Sequence, residues 1–296
     1  MLSIRTDLAA EAHELFRESA SETTCLQGVR ARDERVRGCR VTRVEIMDDE
    51  GATALGKPKG TYLTLDYSPM RGGDSGEFFQ FARAAADLIG QLLPEDGTVL
   101  VAGLGNRRMT VDALGPLTLE GLLVTRHLGE VLPDLRSVAA IGAGVLGTTG
   151  IEAAEWIRGA VERVKPSAVV LVDALAARSL DRLCATVQIA SSGLVPGSGI
   201  GNHRSALNEE TLGVPVISIG VPTVVDAATL ARDIITGSGG DDTSLAPLLR
   251  EGKGLFVTPD DIDAKIRRAA GLVAAGLNLA LQRDLEWEDI RALTDP

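Results

Sequence analysis

The sequence predicts an α/β fold, a three-layer α/β/α sandwich around a mixed, mostly parallel sheet within one domain. The first observation is that, from about residue 98, short runs rich in Val, Ile and Leu alternate with helical patterns, which is typical of strands covered on both faces. The second is the composition: 296 residues that are 45% hydrophobic and 24% charged can bury a large core. Because only 3% are aromatic, aliphatic side chains must fill that core.

The first ninety residues predict one edge of this sheet and two helices. LAAEAHELF has helical spacing, whereas the charge-dense RARDERVRGCR is expected to be a solvated connector. VTRVEIM and GTYLTLDY alternate as strands do, with a helical turn, ATALG, between them. We expect this pair to form an antiparallel edge. EFFQFARAAADLIGQLLP predicts an amphipathic helix that Pro94 ends.

The rest of the chain predicts five strands and four helices. The strand patterns are TVLVAG, RSVAAIGAG, SAVVLVDA (followed by a helical turn), ATVQIA and GVPVISIG. The helical patterns are ALGPLTLEGLLVTRHLGEVL, GIEAAEWIRGAVERV, PTVVDAATLARDIIT and a final helix from about Pro259 to Arg283. For that last helix Thr258 is the expected N-cap, since proline suits the first turn.

Charge and cysteine usage limit the function. A formal net charge of −11 argues against nucleic-acid binding, which needs clustered Lys and Arg. Three cysteines without a CxxC pattern favour a reducing compartment. The N-terminus has no apolar signal-peptide region and AGLVAAGLNLAL is too short to span a bilayer. We therefore expect a cytoplasmic protein that does not bind membranes.

The tetrapeptide VDAL occurs twice and places an aspartate after an apolar run each time, at Asp112 and Asp173. Ligands of open α/β sheets bind beyond the carboxyl ends of strands. Each aspartate can be a helix cap. If the two lie close together, one can act as base for a water and the other as acid for a leaving amine, or the pair can hold a divalent metal.

Glycine loops at the same edge leave a further alternative open. GLGN places Gly103, Gly105 and Asn106 just past a strand, and IGAGVLG matches GxGxxG by letters. A lone match of that kind is a weak sign of nucleotide binding. Glycines also permit positive φ and close chain contacts.

Motifs along nearly the whole chain resemble the germination protease (spore protease) family. In order they read RTDLAAEA, GKPKGTY, GLGNRRMTVDALGP, GVLGTTGIE, VDALAARS, SSGLVPGSGIGN, TLGVPVISIGVPTVVDA, GLFVTPDDID and GLNLAL. The resemblance implies a phosphorylase/hydrolase-like fold and an endopeptidase, without a cofactor, that degrades small acid-soluble spore proteins in the spore core. It also implies a homotetramer and a self-processing precursor of an atypical aspartic type.

Under this resemblance Asp112 and Asp173 are the catalytic residues. The processing bond is Asp7–Leu8, so that residues 1–7 are a short propeptide and residues 8–296 the peptidase domain. From their positions in the loops, N–H groups near Gly103, Gly105 and Asn106 are candidates for stabilising the oxyanion. Arg178 is a candidate for binding the acidic side chain before the cut bond or for biasing the ionisation of the aspartate pair.

Two features separate the chain from the family pattern. The segment between PTVVDA and the VTP helix is shorter than in the family, and Ala143, Leu146 and Thr148 replace residues expected in the glycine loop. Two rival functions remain: a metal-dependent endopeptidase like the hydrogenase-maturation peptidases, and a nucleotide-binding domain without peptidase activity. We expect no metal site, because no histidine lies at a strand end.

Overall fold

The computed structural model describes residues 6–19, 26–67, 75–197, 205–237 and 254–294. The helices are α1 (Ala9–Ser19), α2 (Asp49–Leu55), α3 (Ser75–Gly90), α4 (Leu114–Glu120), α5 (Leu146–Thr149), α6 (Ala153–Val164), α7 (Glu209–Leu212), α8 (Ala227–Gly237), α9 (Ile262–Leu281) and α10 (Trp287–Thr294). The strands are β1 (Val29–Val36), β2 (Cys39–Ile46), β3 (Gly60–Asp66), β4 (Val99–Leu104), β5 (Val138–Gly144), β6 (Ala168–Ala177), β7 (Thr186–Ala190), β8 (Val216–Asp226) and β9 (Phe256–Val257).

Within the described residues the strands form one nine-stranded mixed sheet in the order β1-β2-β3-β7-β8-β6-β4-β5, with β9 beside β8. Strands β8, β6, β4 and β5 run parallel. Strands β1, β2, β3 and β7 continue the sheet in antiparallel pairs. The predicted α/β class and the antiparallel pairing of VTRVEIM with GTYLTLDY are confirmed.

Helices cover both faces of the sheet, as the three-layer prediction requires. On one face, side chains of α3, α4 and α9 pack on alternate strand residues such as Val101 and Val172. On the other face, α6 packs on Leu100 and Leu171, and α1 and α2 pack on Val44, Tyr62 and Ala190. Since adjacent strand residues point to opposite faces, each strand contributes to both cores.

The prediction that RARDERVRGCR is a solvated connector is wrong, because this segment forms β1, a hairpin turn and the start of β2. The turn uses Arg37 and Gly38, which have φ values of 49° and 81°. Strand β1 is largely exposed and therefore lacks the apolar alternation that predicts a strand. Its charged residues instead pair across the hairpin, as Asp33 does with Arg40 at 3.2 Å.

Two segments that were predicted to be helical continue strands. Strand β6 runs on through the ALAA of ALAARS and β8 through PTVVD, and the two pair as far as Ala177 and Val225. The β6 extension is rich in alanine, which carries little strand preference, and the β8 extension begins at Pro222 and runs directly into α8. Pairing between the two extended segments satisfies their backbone groups, and only the folded sheet provides it.

Two helix boundaries also differ from the prediction. The helix after β4 ends at Glu120, and buried side chains at the end of α9 hold the loop that follows. Asn278 binds the backbone of Leu123 and Gly121, and Gln282, the C-cap of α9, binds that of Arg136. The final long helix starts at Ile262 with Asp261 as N-cap. Thr258 is not its cap, because its hydroxyl donates to the Thr223 carbonyl oxygen.

Candidate active site

Asp173 lies within β6, not at its end. In the sheet, Asp173 is paired with Gly220 of β8. The preceding residue, Val172, is paired with Gly103 near the end of β4. The Asp173 side chain is buried, 8% exposed, and its carboxylate accepts the Ala174 N–H at 2.9 Å. No helix begins here, so the reading of Asp173 as an N-cap is wrong. A carboxylate buried beyond the end of a neighbouring strand needs specific partners.

Asp112 ends a short 3-10 turn, Thr110–Asp112, between β4 and α4. The N-cap of α4 is Ala113, which makes no side-chain cap, so Asp112 is not the cap of that helix. Its carboxylate instead accepts the N–H of Asn106 at 2.8 Å. The side chain is half-buried, and this hydrogen bond holds it against the loop that follows β4.

The chain around Asp112 crosses the sheet close to Asp173. The Thr223 hydroxyl of β8 donates to the Val111 carbonyl oxygen at 2.7 Å. Gly115 lies so close to β4 and β6 that a Cβ there would be 2.3 Å from the Leu104 oxygen and 2.7 Å from the Val172 oxygen. Residues 111–115 therefore reach from β8 over β6 to β4. The structure brings both predicted aspartates to the carboxyl edge of neighbouring strands.

The two aspartates belong to different faces of the sheet at this edge. Val172 packs on the face covered by α4 and α9, whereas Leu171 packs on the face covered by α6. Alternation places the Cβ of Asp173 on the α6 face with Leu171. Asp112 belongs to the segment whose neighbours Ala113 and Leu114 pack with α4 and α9.

The predicted glycine loop serves close packing in this arrangement. Gly105 has φ of +99°, and a Cβ there would be 2.1 Å from the Asp112 carbonyl oxygen. A Cβ on Gly103 would be 2.8 Å from Gly115. The Asn106 N–H donates to Asp112, and the Asn106 carboxamide accepts the Arg108 N–H. Stabilisation of an oxyanion by this loop stays a prediction.

Arg178 follows β6 and binds carboxylates of two helices. Its guanidinium donates to both carboxylate oxygens of Asp233 on α8, at 2.9 and 3.2 Å, and to Glu18 on α1 at 2.9 Å. Its backbone N–H donates to Glu11 at 2.7 Å. Arg178 therefore joins α1 and α8 to the end of β6, and a role in substrate binding stays a prediction.

Asp7 and Leu8, the predicted processing bond, lie across β8 between β6 and β7. The Asp7 N–H donates to the Ala176 oxygen and the Asp7 carboxylate accepts the Ala176 N–H, both at 2.9 Å. The Gln188 carboxamide donates to the Asp7 carbonyl oxygen at 3.1 Å and accepts the Ala9 N–H at 2.8 Å. The bond is therefore held on the same sheet face that carries Asp173.

Three polar residues of this region were not predicted from the sequence. Gln188 is 7% exposed and Glu11 1% exposed, while the Lys57 ammonium donates to the Thr6 carbonyl oxygen at 2.9 Å. Burial lowers the pKa of Lys57, although Asp7 and Glu11 oppose the shift. A glutamine inside the apolar strand ATVQIA was the available signal for Gln188. No local pattern pointed to Lys57, which lies in a turn-like GKPKG.

Two of the family motifs lie partly outside the described residues: SSGLVPGSGIGN from residue 198 onward, and Arg5 of RTDLAAEA. Across the part of the chain that the structure describes, no three His, Cys, Asp or Glu side chains are grouped as metal ligands. The described helices include none that is long and apolar enough to cross a membrane.

Comparison with known proteins identifies the family. Residues 9–237 match the family described as germination protease. The chain is 42% identical to a germination protease of Caldanaerobacter subterraneus subsp. tengcongensis, covering 99% of this chain and 98% of that one. It is 41% identical to one of Clostridium perfringens, with 98% of each covered, and 37% identical to one of Bacillus cytotoxicus, with 99% and 97% covered.

One solved structure also aligns with part of the chain. The [NiFe] hydrogenase maturation protease HycI of Thermococcus kodakarensis aligns over 64% of this chain and 98% of its own, with a TM-score of 0.37 and 20% identity. The family match and the near full-length relatives settle the membership: the chain belongs to the germination protease family and is a peptidase.

Proposed function

We propose that this peptidase degrades small acid-soluble spore proteins during germination, through an atypical aspartic mechanism that uses Asp112 and Asp173. The observation that carries the proposal is the placement of both carboxylates at the carboxyl edge of β4 and β6, where residues 111–115 cross the two strands. Open α/β sheets bind their ligands at this edge. We further propose that the protein is cytoplasmic, lies in the spore core and acts as a homotetramer.

The chemistry needs one basic and one acidic carboxyl group. The basic carboxylate takes a proton from a water whose oxygen adds to the carbonyl carbon of the bond to be cut. The protonated carboxyl group then gives its proton to the amide nitrogen, the C–N bond breaks, and an acid and an amine leave. The cycle uses a single proton, and carboxylates that come close together titrate apart because they do not readily both ionise.

We further propose that the chain processes itself at the Asp7–Leu8 bond and releases residues 1–7. Asp7, the residue before this bond, is hydrogen-bonded to Ala176 of β6, three residues beyond Asp173. Its carbonyl oxygen is bound by Gln188, which is level with Asp173 through Gly220. The precursor thus holds an acidic residue followed by an apolar one next to the proposed catalytic strand.

The test is incubation of the purified full-length chain with a small acid-soluble spore protein, with products identified by mass spectrometry. The wild type is expected to cut after acidic residues. Asp112→Asn and Asp173→Asn are expected to lose about 10²-fold or more in rate, since general acid–base groups contribute on that order. A chelator arm measures whether the activity requires a metal.

Asp226→Asn is the matched control. Asp226 is also a buried aspartate at the end of a strand at this edge, but its carboxylate caps α8 through the Thr229 N–H at 2.9 Å, and asparagine caps as well. We expect this variant to retain activity. Normal cleavage by Asp112→Asn or Asp173→Asn would remove that residue from the mechanism.

A further inference from the structure

The peptide unit between Asp7 and Leu8 is bound by groups that lie outside the proposed catalytic pair. The Gln188 side chain spans the bond: its Nε2 donates to the carbonyl oxygen before the bond, and its Oε1 accepts the Ala9 N–H after it. Gln188 is 7% exposed. A buried carboxamide with both ends engaged has one defined orientation, since losing either partner is costly.

Gln188 and Asp173 are at the same level of the sheet. Gln188 of β7 is opposite Gly220 of β8, and Gly220 is level with Asp173 of β6. Ala190, two residues after Gln188, packs with α1, which puts Gln188 on the α1 side; the Asp173 Cβ points to the same face. The Leu175 side chain covers Gly220 between them, and the carbonyl that Gln188 binds lies on the same sheet face as the Asp173 Cβ.

The side chains on either side of the bond have separate binding groups. The Asp7 carboxylate accepts the Ala176 N–H at 2.9 Å. Leu8 is fully buried and packs in a cluster with Ala177, Leu183 and Val225. An N–H donor before the bond and an apolar pocket after it match a bond between an acidic and an apolar residue.

We propose that Gln188 and the Ala176 N–H form the subsite that holds the processing bond: Gln188 binds the carbonyl oxygen of the bond to be cut, and the Ala176 N–H binds the acidic side chain before it. The inference rests on the proposed function, namely self-processing at Asp7–Leu8. It assigns to Gln188 the role of donor to the oxygen that gains negative charge when water adds. The leaving nitrogen is that of Leu8, which takes up the proton.

The experiment follows release of residues 1–7 from the full-length chain by intact-mass spectrometry over a range of pH. Gln188→Glu keeps the side-chain shape and an acceptor for the Ala9 N–H, but when ionised it has no donor for the carbonyl oxygen. We expect processing at pH 7 to slow by about 10²-fold or more, the usual effect of losing an oxyanion donor. As the pH falls and the introduced carboxyl group protonates, it regains a donor, so the ratio of variant to wild-type rates should rise at least about tenfold.

Gln91→Glu is the matched control, because Gln91 is an exposed glutamine outside the proposed subsite and its side chain binds Arg43. It should process at the wild-type rate. A Gln188→Glu variant that is folded by circular dichroism and processes normally at pH 7 would overturn the inference, as would a slowed rate whose ratio to wild type does not recover in acid. A wild-type chain that never releases residues 1–7 would count against the proposed function itself.

A second pair of variants tests the subsite without changing a buried residue. Asp7→Asn keeps an oxygen that can accept the Ala176 N–H, whereas Asp7→Val has a similar shape and no acceptor. We expect Asp7→Val to slow processing by about 10- to 100-fold relative to Asp7→Asn, the effect of losing one hydrogen bond to an acceptor of this kind. Equal processing rates for the two variants would contradict the proposal that the Ala176 N–H binds the side chain of residue 7.

Discussion

Gly105 determines where the Asp112 carboxylate can lie. Its φ of +99° is one that side-chain-bearing residues rarely adopt, and a Cβ would be 2.1 Å from the Asp112 carbonyl oxygen and 3.0 Å from its Oδ1. The next residue, Asn106, donates its N–H to that carboxylate. The absence of a side chain at one position therefore allows the loop after β4 to close on a candidate catalytic group.

Gly105→Ala is predicted to destabilise the protein and to reduce peptidase activity. The backbone strain alone is about 1–3 kcal/mol, and relieving the contact moves Asp112. The free energy of unfolding in urea and the cleavage rate report the two effects. Gly147→Ala is the control: a Cβ there meets nothing within 4 Å, so the unfolding free energy should change by less than about 1 kcal/mol. A stable, fully active Gly105→Ala would contradict the role given to this glycine.

At the scale of elements, α1 is fixed to the end of β6 by one buried carboxylate. Glu11 accepts the backbone N–H groups of Arg178 and Ser179 at 2.7 and 3.0 Å and the hydroxyl of Thr6. Arg182 lies 3.6 Å from it. Two sequence motifs, RTDLAAEA and DALAARS, are thus joined in the folded protein. This contact places the Asp7–Leu8 bond over β6 and β8.

Glu11→Ala is predicted to lower the free energy of unfolding by about 2–4 kcal/mol, because it leaves buried N–H groups without an acceptor. Amide hydrogen exchange in α1 should accelerate more than exchange in α9. Glu14→Ala removes a carboxylate on the same helix that is 50% exposed and should cost less than about 1 kcal/mol. Equal stability of the two variants would show that Glu11 does not anchor the helix.

At the scale of the whole molecule, the thiol of Cys184 reports on the core. Cys184 is 8% exposed and packs in the large cluster between the sheet, α3, α4 and α9. Burial raises its pKa from 9.0 to about 12. Because the raised pKa belongs to the folded state, this thiol's contribution to stability is complete below pH 9.0 and is lost as the pH rises towards about 12.

Alkylation of Cys184 at pH 8 is therefore predicted to require unfolding. The thiolate is the reactive form, and a shift from 9.0 to about 12 makes it about 10³-fold rarer, apart from the effect of burial on access. Peptide mapping after iodoacetamide treatment should find Cys184 modified in guanidinium but not in the native protein. Modification of the native protein at the denatured rate would contradict the packing described for this core.

Local patterns explain how much of the fold the sequence predicts. Continuous apolar runs identified β4 and the first part of β6, since strands buried on both faces need apolar residues at every position. The same rule failed for β1, which is exposed, for the alanine-rich end of β6, and for the end of β8, which follows Pro222 and runs directly into α8. Those segments are strands because a neighbouring strand pairs with them, and that neighbour is distant in sequence.

The candidate site divides in the same way. By itself the sequence determined the α/β class and, through its motifs, the family to which the chain belongs, and it singled out Asp112 and Asp173 as candidates. Only the tertiary structure decided that residues 111–115 cross the β6 strand that carries Asp173, and that Gln188, 181 residues from Asp7, binds the carbonyl of the predicted processing bond. Composition and periodicity act over a few residues, whereas a site of this kind is built from hydrogen bonds between segments that meet only when the sheet has formed.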